Sequence, residues 1–241
     1  MMKHSRRSNH SSAKNRLAEL ISQDRERTNL LKSGERNLIV YLVQRIPAWM
    51  TSDMLTGIGL FGNIIVMVSF LLATYVDRNL LLLGVPGFII NWFGDSLDGR
   101  LAYFRNRPKK RYGFTLDITI DWIGIILIGC GFIVYAEGVW ELIGYGFVVM
   151  YGWEMIVALM RLRLTGNYSI DFFKIGPTEV RIVLILVLVV ELLLPGSIRY
   201  FALFMCVILF LVNIVDTHNL LRIAERKDLE ERKKEEGREM P

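Results

Sequence analysis

Six apolar stretches, each close to the ~20 residues needed to cross a bilayer as a helix, run at about 54–75, 79–104, 113–136, 139–162, 177–195 and 198–221. Short connections join them. The charges are pushed to the ends: residues 1–36 carry 13 and residues 222–241 carry 14, leaving 26 of the 53 for the 185 residues between. A water-soluble surface cannot be built from a middle this poor in charge, and mean hydropathy is positive at +0.35. The expected fold class is therefore all-α integral membrane, with six transmembrane helices preceded by an amphipathic interfacial helix. A soluble two-domain enzyme is excluded.

The flanking segments read differently. Residues 1–34 are rich in Ser, Asn, Arg and Lys and have no apolar core of a signal peptide, so a flexible basic tail is expected. Over 35–49, Ile39, Leu42, Val43, Ile46 and Trp49 recur at helical spacing while Arg36, Asn37 and Gln44 fall elsewhere on the wheel. That pattern predicts an interfacial helix, interrupted by Pro47, with Trp49 at headgroup level. The membrane domain spans 35–222, and 223–241 form a charged tail. Six spans put both termini on the side of the loops near 105–112 and 163–176, which carry Arg105, Arg107, Lys109, Lys110, Arg111, Arg163 and Lys174. The opposite loops hold only Arg78 and Arg199. The positive-inside rule makes both tails cytoplasmic. The pI near 9.2 is read as this topology signal, with no nucleic-acid partner expected.

With three histidines and two cysteines, a His-built or Cys-built metal site is not available. Carboxylates are. Each costs a few kcal/mol at the bilayer centre on insertion scales, yet the second and third spans hold four. Asp95 and Asp98 lie at i and i+3 on one helix face, which Ala102 and Arg105 continue; Asp117 and Asp121 lie at i and i+4, with Gly113 one turn before. The short connection predicts that these two helices are antiparallel neighbours, bringing both pairs to one depth near the cytoplasmic surface. Four carboxylates in low dielectric need neutralising, and a divalent cation bound through oxygens, or two, is the usual solution. Gly94, Gly99 and Gly113 leave room for backbone or a bulky ligand. The loop 105–111 has five basic residues and no acid, which serves topology or phosphate binding. Glu154, Glu191 and Asp216 are single acids and read as polar bridges between helices.

The segment Asp95-Ser-Leu-Asp98-Gly99-Arg-Leu-Ala102, followed by Gly113-Phe-Thr-Leu-Asp117-Ile-Thr-Ile-Asp121, resembles the signature of the CDP-alcohol phosphatidyltransferases, bacterial type. That signature is D-x-x-D-G-x-x-A-R, a gap of eight or nine, then G-x-x-x-D-x-x-x-D. Asp53-Met-Leu-Thr56 is similar to the family's P-[ND]-x-L-T segment, with Ser52 in place of Pro. Gly176-Pro-Thr-Glu179 with Arg181 is similar to a stretch of some bacterial members. The resemblance covers about Glu35 to Arg222. It departs at Tyr103, where the family has Arg; Arg105, on the same face, is the candidate replacement.

The resemblance implies transfer of a phosphatidyl or phospho-alcohol group from a CDP-linked substrate to an acceptor hydroxyl, with release of CMP, in phospholipid biosynthesis. It implies Asp95, Asp98 and Asp117 as ligands of two Mg²⁺ or Mn²⁺ ions and Asp121 as general base, also near a metal. Asp53, Thr56, Gly99, Ala102, Arg105 and Gly113 would line the substrate site, and Arg161, Arg163, Lys174 and Arg181 are acceptor clamps if the acceptor carries phosphate. Partners are then a CDP-linked lipid or alcohol and membrane lipids, in a homodimer of a bacterial inner membrane. CDP-diacylglycerol with a small polar alcohol is the expected pair; a CDP-activated headgroup with diacylglycerol is the alternative. From another class, an ion or proton transporter would use the carboxylates as a relay, but the outer half of the third span, Ile123 to Val134, is almost wholly apolar. A catalytically silent scaffold would have to explain the intact carboxylates.

Overall fold

In the computed structural model, the described residues are 32–166 and 176–239. They form α1 (Lys32–Val43), α2 (Ser52–Tyr75), a 3₁₀ turn (Arg78–Leu83) running into α3 (Gly84–Phe104), α4 (Lys110–Ala136), α5 (Trp140–Thr165), α6 (Pro177–Leu193) and α7 (Ser197–Glu239). The chain is an all-helical, multi-pass membrane protein. Among the described residues, five segments are long and apolar enough to cross a bilayer: α2, the 3₁₀ turn with α3, α4, α5 and the start of α7. The expected fifth span, α6, has 17 residues, at the short end of the spanning range. Large apolar side chains lie exposed along α6 and α7, among them Leu186, Leu193, Phe204, Val207 and Leu211. Such a surface suits lipid and not water.

Local chemistry sets the helix ends. Thr51 caps α2, its Oγ1 accepting from the Met54 N–H at 3.2 Å. Asp77 caps the 3₁₀ turn through the Asn79 N–H at 2.7 Å. Pro177 opens α6 at a position where a missing N–H costs nothing, and Gly166 closes α5 in the left-handed conformation, φ 77°. Against the expected interfacial helix over 35–49, α1 stops at Val43 and Pro47 lies in the following turn. The residue before a proline resists helical φ/ψ. Ile39, Val40 and Val43 are nonetheless buried. Ile39 and Val43 join Leu55, Leu97 and Leu101 in a cluster under the loop end of α3.

The carboxylate-bearing helices face one another through their acids, as expected of neighbours, but make few close backbone contacts. Both α3 and α4 pack on α2, which forms the spine between them. Glycine makes this possible. A Cβ on Gly62 would lie 2.4 Å from the Asn91 nitrogen, one on Gly94 2.3 Å from the Gly59 nitrogen, and one on Gly131 3.0 Å from the Met67 Cα. The helices on either side of α2 therefore approach it at backbone distance. Far from the acids, Val66, Phe70, Leu81, Phe88, Phe132, Leu188 and Ile198 fill a second apolar core.

The isolated intramembrane acids do bridge helices. Glu191 accepts from the Tyr135 hydroxyl at 2.9 Å and from the Gly196 and Ile198 N–H groups at 2.8 Å each, tying α4, α6 and α7 together. Asp216 of α7 pairs with Arg161 of α5 at 3.2 Å, and Glu154 is buried beside them.

Candidate metal and phosphate centre

The Gly59–Gly94 contact brings the backbones of α2 and α3 together at the residue before Asp95, so Asp95 is placed by main chain packing. Asn91, one turn earlier on α3, donates its Nδ2–H to the Gly59 carbonyl at 3.1 Å across the same seam. From the facing side, α4 carries Asp117 and Asp121 one turn apart. One carboxylate oxygen from each of Asp95, Asp117 and Asp121 lies within 4.8 Å of the others, all three half-buried. Asp98 stands beside this trio, within Coulombic range of Asp95 and Asp117. Its Oδ2 accepts from the Thr56 hydroxyl at 2.8 Å and its Oδ1 from the Gly99 N–H. Ser52 donates to the Asp98 carbonyl at 2.8 Å, so the first turn of α2 fixes Asp98 at both backbone and side chain.

The donor set is all oxygen, anionic and closely spaced. That suits a hard divalent cation and no soft one. Around it, Gly99 and Gly113 have open space where a Cβ would be, unlike Gly94, whose space is filled by α2. The two kinds of glycine thus do different work: one permits helix contact and two leave room at the site.

The remaining predicted residues are spread more widely. Asp53 is partly exposed and pairs with Lys109 of the basic loop at 3.5 Å, and Ala102 is half-buried on α3. Arg105 turns away from the carboxylates: its guanidinium donates to the carbonyls of Met50, Pro47 (2.8 Å) and Ile46 (3.5 Å). It caps the connection between α1 and α2. Among the expected clamps, Arg161 is paired with Asp216, and Arg163 is exposed at the end of α5. Lys174 lies outside the described residues. Arg181 is at the centre, its Nη2 2.7 Å from Asp95 Oδ2 and its Nε donating to Asn91 Oδ1 at 2.7 Å. Sequence reasoning missed Asn91 and Ser52. A buried-side asparagine four residues before an intramembrane aspartate was the available signal for Asn91; Ser52 carried none beyond its departure from the family's Pro.

The described residues thus form an all-helical membrane bundle with a half-buried carboxylate cluster whose oxygens are close enough together to hold a divalent cation. Residues 49–216 match the family model described as CDP-alcohol phosphatidyltransferase. The chain belongs to that family, whose members transfer a phospho-alcohol group from a CDP-alcohol. A comparison with curated proteins gives no significant match.

Proposed function

We propose that this chain transfers a phosphatidyl group from CDP-diacylglycerol to a small polar alcohol, such as inositol phosphate, glycerol phosphate or serine, releasing CMP. The observation that carries this reading is the convergence of Asp95, Asp117 and Asp121 within 4.8 Å, with Asp98 held alongside by Thr56, on the spacing of the family motif. Two Mg²⁺ or Mn²⁺ ions, when bound, neutralise the pyrophosphate and the departing CMP. Asp95, Asp98 and Asp117 would hold them. Both oxygens of Asp98 already accept hydrogen bonds, which suits a fixed ligand. Asp121, a turn deeper on α4, takes the proton from the acceptor hydroxyl. The open space at Gly99 and Gly113 receives the nucleotide. The charge asymmetry of the loops supports cytoplasmic termini, and the family resemblance supports a homodimer in a bacterial inner membrane.

The test is CMP release by purified protein with CDP-diacylglycerol and each alcohol in turn, with lipid products read by mass spectrometry. Release is expected only with a divalent cation and is abolished by EDTA. Full turnover in excess EDTA rejects metal dependence. Product formed only from a CDP-activated headgroup and diacylglycerol reverses the direction of the assignment.

A further inference from the structure

The carboxylate centre contains its own cation. Arg181 comes from α6, the shortest of the described helices after α1, and reaches Asp95 Oδ2 at 2.7 Å with its side chain 14% exposed. It is held there on two sides. Asn91 accepts from Nε at 2.7 Å. One turn earlier on α6, Thr178 accepts from the Trp92 indole N–H at 3.2 Å and donates to Glu35 at 2.7 Å. The first turn of α6 is thereby pinned to α3 and to α1, and Asn91, Trp92 and Asp95 form a continuous docking strip for it along α3. The guanidinium is thus built into the centre.

We propose that Arg181 is an internal counter-cation of the carboxylate centre: a positioning residue that occupies Asp95 and holds down the affinity of the centre for divalent cations. The proposal rests on the metal reading above. Three carboxylates this close repel one another, and a positive charge on Asp95 relieves that repulsion when no metal is bound. The same charge opposes an incoming cation and competes for an oxygen of Asp95. Removing it has two opposed effects. Loss of repulsion tightens metal binding; loss of the hydrogen bond to Asp95 loosens the ligand. Repulsion between +1 and +2 charges in one small site is worth about tenfold in affinity even at water-like dielectric. Loosening is limited, because Asp95 is placed by the backbone contact of Gly94 with Gly59. Repulsion therefore dominates, and removal tightens binding.

The experiment is a Mn²⁺ titration of the full chain in detergent micelles without nucleotide, following free Mn²⁺ by electron paramagnetic resonance. Arg181→Gln is expected to bind Mn²⁺ about three- to tenfold more tightly than wild type while losing turnover. Arg181→Lys keeps the charge and is expected within about twofold of wild type in Mn²⁺ affinity. In parallel, Mn²⁺ should raise the thermal unfolding midpoint of Arg181→Gln more than that of wild type, a readout that survives a less stable variant. Equal or weaker Mn²⁺ binding by Arg181→Gln overturns the proposal while leaving the metal site standing. So does a variant that cannot be recovered folded even in millimolar Mn²⁺, since Arg181 would then serve the fold. A wild type that binds no Mn²⁺ overturns the metal reading and this proposal with it.

Discussion

Gly94→Ala tests the packing that places the first aspartate. The new Cβ would lie 2.3 Å from the Gly59 nitrogen, 2.4 Å from the Leu55 carbonyl oxygen and 2.6 Å from the Gly59 Cα. All three are main-chain atoms of α2, so no side chain can rotate away. Ordinary contact needs more than 3.4 Å, and α2 and α3 must separate by about 1 Å along the seam. Overpacking of this kind costs about 1–3 kcal/mol, and the Asn91 bond to the Gly59 carbonyl, across the same seam, is worth a further ~1 kcal/mol. Helix propensity returns up to about 1 kcal/mol. The expected net loss is about 1–3 kcal/mol, with CMP release falling further because Asp95 moves with the helix. Gly99→Ala is the control. It meets nothing within 4 Å, so unfolding should shift little or upward, while substrate affinity drops as the methyl enters the open site. Thermal unfolding in detergent, followed by tryptophan fluorescence, measures both. A Gly94→Ala protein that unfolds with wild type and turns over normally would refute the argument that backbone contact sets Asp95.

Three further outcomes are expected. Arg105→Ala should lower the unfolding temperature, having lost charge-assisted bonds to the carbonyls of residues 46, 47 and 50 worth about 1.5–3 kcal/mol together, whereas Arg107→Ala should not; equal behaviour of the two in melting curves would reject the capping role. Thr56→Val removes the donor to Asp98 Oδ2 and should raise the Mn²⁺ concentration for half-maximal CMP release about tenfold, with Thr56→Ser near wild type; a Val variant with unchanged metal dependence counts against Asp98 as a fixed ligand. Asp95→Asn and Asp117→Asn should lose Mn²⁺ binding and activity together, while Asp121→Asn keeps more binding than turnover; uniform loss of binding in calorimetry would remove the distinction between ligand and base.

The acids were legible because an intramembrane carboxylate is costly and helical spacing says which ones share a face. Asp95, Asp117 and Asp121 needed only that arithmetic and a short loop. The packing of both α3 and α4 along α2 did not follow from it. A short connection constrains where helix ends meet, whereas contact along the helices depends on which faces carry no side chains. Gly59, Gly62, Gly87 and Gly94 held that information, divided between two helices whose register no local pattern reveals. The same limit hid the partners of Arg181, which the sequence offered only as one of four acceptor clamps. Its partners Asn91 and Asp95 lie 90 and 86 residues away, and a basic residue near a helix end satisfies the charge rule for topology equally well. The bridging acids fared better: a lone buried Glu must find donors, and Glu191 finds a hydroxyl and two backbone N–H groups.

The two departures from the family pattern act at the same place. Ser52, where the family has Pro, uses its hydroxyl to hold the Asp98 carbonyl, a contact proline cannot make. Arg105, the nearest arginine to the position where Tyr103 stands, is spent on the carbonyls before α2. Both therefore fasten the start of α2 to the end of α3, on the rim of the carboxylate centre and not inside it. A site that handles phosphate still needs positive charge within it, and the basic loop supplies Lys109 to Asp53 at the rim. One guanidinium that contacts the clustered carboxylates is that of Arg181, delivered from α6. Positive charge at Asp95 thus comes from a helix outside the motif. Its position depends on how α6 docks, through Thr178, against Trp92 and Glu35. Through Glu35, α1 thus helps to place Arg181 beside the carboxylate cluster although no residue of α1 belongs to the motif.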